Sequence, residues 1–257
     1  MKVTFLGTGT SQGVPVIACQ CVVCTSNDSR DNRLRSSVMF ELNNKVLVID
    51  AGPDFRYQML RTNTTQLHAV LFTHPHRDHY AGLDDIRPFN FFSHQPMHIY
   101  ANELTQVAIK RDFYYAFEEK KDVGLPEMIL HTIDKEPFTI GDIPFLPIQV
   151  MHREMPVLGF RIGDFTYITD ANFIEETEKE KIRGSEVLVV NALRKEKHIS
   201  HFTLQEAVAL ATELDFPQTY FTHISHQMGL HHAVNQTLPK GMQLAHDGLI
   251  VSVNKTP

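Results

Sequence analysis

Four side chains able to hold a metal ion crowd into six residues, His74, His76, Asp78 and His79, within Thr73-His74-Pro75-His76-Arg77-Asp78-His79. Ahead of them His68-Ala69-Val70-Leu71-Phe72 is a short apolar β-prone run, and behind them Tyr80-Ala81-Gly82-Leu83-Asp84 reads as a helix start. Two histidines spaced i, i+2 where a strand runs out into a loop can turn both imidazoles the same way. Asp78 and His79, at the helix start, add a hard oxygen and another nitrogen nearby. A lone histidine on an apolar strand is most often a satisfied core residue, but three imidazoles and a carboxylate cannot be buried together unpaired at tolerable cost. Imidazole and carboxylate donors suit zinc, iron or manganese.

A second group with metal chemistry is Cys19-Gln20-Cys21-Val22-Val23-Cys24, which contains every cysteine of the chain. Clustering of this kind in an intracellular chain favours thiolate ligation, and the odd count leaves any disulfide scheme with a spare thiol. Three thiolates need a fourth donor to close a tetrahedral structural zinc site, and it must come from elsewhere in the sequence. The plain alternative is a reduced surface loop with incidental cysteines.

The elements that must carry these groups follow in order. Residues 2 to 6 form a first strand, and Gly7-Thr8-Gly9-Thr10-Ser11-Gln12-Gly13-Val14-Pro15 follows it. A dinucleotide fingerprint is rejected there, because the third glycine is one place late and Pro15 replaces the opening of a helix. A tight turn with unusual backbone angles explains the glycines, and its amides and Ser11 are candidates to face the site. Val38 to Leu42 and Lys45 to Ile49 read as a hairpin across Asn43-Asn44, ending near Asp50 and Asp54, either of which is suited to cap a helix. An aromatic segment from Phe89 to Phe92, a strand from Met97 to Tyr100 and a helix from Glu103 to about Phe117 come next. Glu118 to Asp122 is a solvated charge run, and short β-prone pieces extend from Ile129 to Ile140.

The strand from Asp142 to Met151 carries Pro144 and Pro147, which suits an edge position, and delivers His152. Val157 to Ile162 and Phe165 to Thr169 form a hairpin over Gly163-Asp164 and deliver Asp170. A helix from Glu175 to Arg183 and a buried strand from Glu186 to Asn191 follow. Thr203 is a helix N-cap with Glu206 in the capping-box position, and His201 sits just outside that cap, a place for a mobile group. The strand Tyr220-Phe221-Thr222 ends at His223-Ile224-Ser225-His226. Two last strands, about Met242 to Ala245 and Leu249 to Val253, flank His246-Asp247-Gly248 as a hairpin turn.

H-x-H-x-D-H after a hydrophobic strand resembles the signature of the metallo-β-lactamase superfamily. That resemblance implies an α/β fold, a four-layer αββα sandwich of two mixed β-sheets flanked by helices. It also implies a ligand set: His74, His76 and His152 for a first divalent ion, Asp78, His79 and His223 for a second, and Asp170 bridging. Asp50 becomes an orienting partner for a ligating histidine. F-L-G-T-G-T-S, G-V-P and C-x-C-x-x-C resemble the bacterial phosphoribosyl cyclic phosphate phosphodiesterase branch over nearly the whole chain. By that likeness Cys19, Cys21, Cys24 and His226 hold a structural zinc, and Asp78 and His201 are catalytic, with His201 protonating the leaving alkoxide. Two ions (zinc, manganese or iron) about 3.5–4 Å apart can share a hydroxide and neutralise charge at phosphorus. The activity implied is hydrolysis of a small, cyclic or nucleotide-like phosphodiester. The rivals are a nuclease of the tRNA 3′-processing type, which usually carries a basic arm, and a non-hydrolytic cofactor-biosynthesis protein, in which the metal set is degraded.

Composition bounds these readings. A chain of 257 residues with 42% hydrophobic content can bury a sizeable core, and one domain over 1–257 with a zinc loop at 19–24 is expected. The net charge of −6 and the lack of a long Lys/Arg run argue against wrapping a long nucleic acid, so the expected partner is a small molecule. No segment approaches the roughly 20 apolar residues of a membrane span, and the N-terminus enters a strand directly, which predicts a cytoplasmic protein without membrane contact. Phe113, Tyr114, Tyr115 and Phe117 are expected in the core, with a pocket wall or a homodimer contact as the alternative. Arg35, Arg56 and Arg87 are candidates for phosphate contacts, with surface salt bridges the plainer role. Of the 15 histidines, those outside the proposed sites, including His68, His98 and His131, take surface or core roles.

Overall fold

The computed structural model describes residues 1–118 and 124–253. Most of the Glu118–Asp122 charge run therefore lies outside the described residues, and Glu118 itself is exposed. Among the described residues no helix is long and apolar enough to cross a membrane.

The strands are β1 (Lys2–Gly7), β2 (Ser37–Leu42), β3 (Lys45–Ile49), β4 (Ala69–Leu71), β5 (Met97–Ala101), β6 (Met128–Thr132), β7 (Phe138–Ile140) and β8 (Ile143–His152). They continue as β9 (Met155–Ile162), β10 (Phe165–Tyr167), β11 (Phe173–Ile174), β12 (Val187–Asn191), β13 (Gln218–Thr222), β14 (Met242–Leu244) and β15 (Ile250–Ser252). Helices α1 (Phe55–Arg61), α2 (Arg77–Tyr80), α3 (Arg87–Ser93), α4 (Glu103–Asp112), α5 (Glu176–Ile182), α6 (Leu204–Glu213) and α7 (His231–Asn235) connect them. One sheet runs β15-β1-β2-β3-β4-β5-β6, and the other runs β11-β8-β9-β10-β12-β13-β14, with β7 paired to β8.

Alternation along the strands sorts side chains into layers. Val38, Phe40, Leu47 and Ile49 face the second sheet and meet Phe145, Phe160, Phe165 and Tyr167. Phe40 and Phe165 pack edge to face, 5.4 Å between centroids. The opposite face of the first sheet, Met39, Val48 and Val70, is covered by Phe55, Met59, Ile86 and Ile109 from the helical layer. On the far side Ile148, Val150, Leu188 and Val190 lie under Ala207, Leu210 and Ala211 of α6. Helix, sheet, sheet and helix follow in that order, so the expected α/β four-layer sandwich of two mixed sheets is the observed architecture.

Local chemistry explains the joints. Asn43 and Asn44 both adopt positive φ, 50° and 58°, which is the primed turn that matches the twist of β2 and β3. Thr203 and Glu206 form the full capping box of α6. Pro147 falls between the short stretches of β8 that pair with β7 and β11, where no second neighbour needs its missing N–H. The next free amide, Gln149 N–H, donates instead to Glu178 at 2.8 Å.

Two expectations are corrected. His246-Asp247-Gly248 does not close a hairpin: β14 lies parallel to β13 in the second sheet, whereas β15 lies antiparallel to β1 in the first. Asp247 holds that crossing, accepting from Thr8 Oγ1, Leu34 N–H and Arg61. The helix expected to reach Phe117 stops at Asp112, and a short 3-10 turn over Tyr114–Ala116 follows; Phe113 is buried while Tyr114 is exposed.

Candidate metal centre

Each side chain of the expected set leaves the carboxyl end of a strand. The His74–His79 loop follows β4, His152 is the last residue of β8, Asp170 follows β10 and His223 follows β13. The two sheets are tied there by Leu158 N–H donating to Thr73 O at 3.0 Å. Asp50, Asp170 and His223 take left-handed backbone angles, with φ of 65°, 53° and 55°, a conformation that costs energy in residues with a Cβ and clusters at functional positions. The loop bearing α2 is seated by two glycines. A Cβ at Gly52 would stand 1.9 Å from Asp78 O, and one at Gly82 would stand 2.0 Å from Gly52 O.

The structure brings the expected side chains together. His74 lies 4.7 Å from His76 and 6.0 Å from His152 between ring centroids, and His76 lies 5.1 Å from His152. Donor atoms of Asp78, His79 and His223 converge within ion-binding distance of one another, as do those of His74, His79 and Asp170. Asp170 Oδ2 lies 3.0 Å from His79 Nε2 and Oδ1 3.0 Å from His223 Nε2, and its carboxylate also falls within ion-binding distance of donors on His74 and on His152.

Hydrogen bonding fixes which nitrogen faces inward. The Asp50 carboxylate accepts from Thr73 N–H at 3.0 Å, from Thr73 Oγ1 at 2.9 Å and from His79 Nδ1 at 2.7 Å. Thr73 Oγ1, its proton given to Asp50, accepts from His74 Nδ1 at 2.9 Å. His152 Nδ1 donates to the carbonyl of Ser200 at 2.8 Å. Ser36 gives its proton to Gly9 O and so accepts from His223 Nδ1 at 3.3 Å. With Nδ1 protonated in all four rings, the lone pairs sit on Nε2 and point into the cleft.

Those lone pairs test whether cations fit. His74 Nε2 and His79 Nε2 are buried without a hydrogen-bond partner, although Asp78 and Asp170 oxygens stand 3.1 and 3.0 Å from His79 Nε2. A ring nitrogen facing two carboxylates in a buried pocket needs positive charge between them, carried either by a proton on His79 or by a metal ion. Burial raises the Asp50 pKa. Burial also opposes charge on Asp78 and Asp170, yet the neighbouring imidazoles, His79 and His223 among them, outweigh it and hold both below the usual carboxylate range. His79, buried among Asp78, Asp170 and Asp50, has its pKa driven well above the ordinary value. Nitrogen and oxygen donors with this much negative charge fit divalent cations.

His201 lies beside this group rather than out on a mobile edge. It is buried, with Nδ1 unpartnered and 3.5 Å from Asp170 Oδ1, and its ring lies 4.6 Å from His152 and 4.9 Å from His223. Phe202 N–H donating to Ala171 O and the capping box at Thr203 fix the chain on its far side. Burial lowers the His201 pKa to about 3.

The cysteine loop closes on a fourth donor. Cys19, Cys21 and Cys24 Sγ lie 3.3, 3.3 and 3.5 Å from His226 Nδ1. Bonds of 2.3 Å to sulfur and about 2.0 Å to nitrogen at tetrahedral angles would set sulfur and nitrogen about 3.5 Å apart, so the four atoms fit the edges of a zinc tetrahedron. A hydrogen bond from Cys24 N–H lowers the Cys21 thiol to about 6, while burial raises Cys24 to about 11.

Several residues were not legible as site members. Ser36, which fixes His223, and Thr10, whose Oγ1 is 3.4 Å from His223 Nε2, belong to no metal motif; the glycine-rich loop reaches the cleft through Thr10, and Ser11 is exposed. His198 stacks 5.2 Å from His201. Asp54 stands at the N-cap of α1 but makes no side-chain capping bond and instead pairs with Arg35 at 3.0 Å, and Arg87 pairs with Asp84 at 2.7 Å, the plainer role for both arginines.

Comparison with known proteins bears on the family and the fold. Residues 45–224 match the model of the beta-lactamase superfamily domain. A diphosphatase from the PhnP family, known from its crystal structure, is 41% identical, with a TM-score of 0.92 over 97% of this chain and 96% of that one. Zinc-bound PqqB from Methylobacterium extorquens shares the fold, with 19% identity and a TM-score of 0.80 over 98% of this chain and all of that one. A Porphyromonas gingivalis protein named octanoyltransferase is 34% identical over 97% of this chain but only 51% of its own length, so the chain spans about half of that relative. The chain belongs to the metallo-β-lactamase superfamily, and its structure is PhnP-like.

Proposed function

We propose that the protein is a metal-dependent hydrolase of a small phosphodiester, cyclic or nucleotide-like, with His74, His76 and His152 holding one cation, Asp78, His79 and His223 a second, and Asp170 bridging them. The observation that carries this reading is the set of four imidazoles whose Nδ1 atoms are all engaged while their Nε2 lone pairs converge on Asp78 and Asp170. A zinc in the Cys19, Cys21, Cys24 and His226 tetrahedron would clip the N-terminal loop to the segment that follows β13.

A bound cation pair supplies an activated water and neutralises charge at phosphorus. The chain's own residues do the rest. Thr73 and Asp50 keep His74 and His79 in the ligating tautomer, and Asp170 sits where charge is shared between the two ions. His201, beside Asp170, delivers a proton to the departing sugar oxygen. The net charge of −6 and the absence of a basic run support a small substrate over tRNA, in keeping with one compact domain acting in the cytoplasm.

The likeness to a PhnP-family diphosphatase favours a second reading, hydrolysis of a phosphoanhydride at the same site. A panel of bis(p-nitrophenyl) phosphate, a 2′,3′-cyclic nucleotide and a dinucleoside diphosphate, run with and without chelator, separates the two. Chelator-sensitive turnover of the diesters supports the first reading; turnover of the diphosphate alone supports the second. Octanoyl transfer, named for a protein about twice as long, is expected to be absent in a parallel assay.

A further inference from the structure

We propose that Asp112, at the end of α4, is a positioning residue for the metal loop, clamping the first and last residues of α2 so that the ligands between them, Asp78 and His79, are held in place. The proposal rests on the paired-cation reading of the site and adds to it a residue 33 positions beyond His79 in the sequence.

The observation is one oxygen serving two donors. Asp112 Oδ2 accepts from Tyr80 Oη at 2.6 Å and from Arg77 Nη1 at 2.8 Å. Arg77 opens α2 and Tyr80 closes it. A four-residue helix cannot sustain itself, because too few backbone bonds offset the entropy of fixing it. Its geometry must come from outside, and two anchors reach it besides the Asp50 bond to His79 and the seating of Gly52. Gly82 N–H donating to Ala51 O ties its exit to the end of β3. Asp112 ties its other side to α4, whose start is fixed by the Asn102 cap.

The two arms of the clamp differ in weight. The Arg77 side chain is 73% exposed, so its ion pair is screened and contributes little. Tyr80 is fully buried, with its ring against Phe113 at 6.3 Å, so its hydroxyl has a single place to go. Hydrogen bonds from Arg111 and Tyr80 hold the Asp112 carboxyl at about 2, against an ordinary 3.8. A depressed carboxyl keeps its contribution above the ordinary value and loses it only as the pH falls toward 2, so the clamp is charged throughout the working range.

The test measures metal affinity in the full chain. Protein stripped of its cleft ions by a mild chelator, with zinc kept in the cysteine loop, is reloaded with Co²⁺, and the paired site is titrated against a chelator while its visible spectrum is followed; the loop zinc serves as an internal control. Asp112→Ala is expected to weaken uptake of one of the two ions by about 10–100-fold, the range for partners that orient ligands, and to alter the Co²⁺ absorption with the loop zinc retained. Tyr80→Phe, which removes one oxygen from a packed ring and decides the question if Asp112→Ala fails to fold, is expected to shift affinity the same way by less. Arg77→Gln should shift it least. Wild-type affinity and an unchanged spectrum in both Asp112→Ala and Tyr80→Phe overturn the clamp while leaving the paired site intact. A wild-type chain that takes up no ion there overturns the functional reading and the clamp with it.

Discussion

Among the described residues two places are suited to metal, and they are built in opposite ways. The cleft draws donors from positions 74 to 223, off the ends of four strands, and surrounds them with buried partners such as Asp50, Thr73 and Ser36. The cysteine loop draws three donors from six consecutive residues, with backbone N–H groups of Val16 and Cys24 as its nearest supports, and borrows one imidazole. A site assembled from strand ends exists only once both sheets are formed, so the fold pre-organises it. A site assembled from one loop depends on its ion, since few buried partners otherwise hold its sulfurs in place. The two meet on one segment: His223 and His226 are three residues apart, and Ile224 between them hydrogen-bonds to both Thr8 and Thr10.

The contrast is open to attack by substitution. Asp170→Ala, removing the carboxylate shared by His79 and His223, should have the largest effect: turnover is abolished and ions leave the cleft, while elemental analysis still finds zinc in the loop. His201→Ala should retain all the ions yet lose about 10²–10⁴ in kcat, the usual worth of general-acid help, when assayed on a 2′,3′-cyclic nucleotide, whose leaving sugar oxygen needs the proton. Full activity in that variant removes His201 from the mechanism. Asp50→Asn should weaken cleft ions by about 10–100-fold without touching the loop, as chelator competition would show. Cys21→Ser should do the reverse, losing one equivalent of zinc and some thermal stability with the cleft still filled. Loss of cleft ions in Cys21→Ser would mean that the two sites are one cooperative unit.

The metal loop was legible because four candidate ligands fall within six residues, whereas His152, Asp170 and His223, each at a strand end, were singled out through the family resemblance. Alternation of apolar residues also placed the strands, and the Asn43-Asn44 and Gly163-Asp164 pairs marked real hairpins. What escaped depends on contacts made across the whole chain. Ser36 bonds a ring 187 positions away, and a serine before a strand carries no sign of it. The same holds for His246-Asp247-Gly248, which has the composition of a hairpin turn but crosses between sheets because Asp247 is engaged by Thr8, Leu34 and Arg61. His201 reads as mobile from its place before an N-cap, yet packing against His152 and His223 buries it.

Counting metal equivalents in purified protein, before and after exchange against a mild chelator, is the most direct test. The account predicts three divalent ions per chain, two removed together by Asp170→Ala and the third by Cys21→Ser alone. A single equivalent that survives Asp170→Ala and disappears in Cys21→Ser would leave the cleft without cations and contradict the hydrolase mechanism.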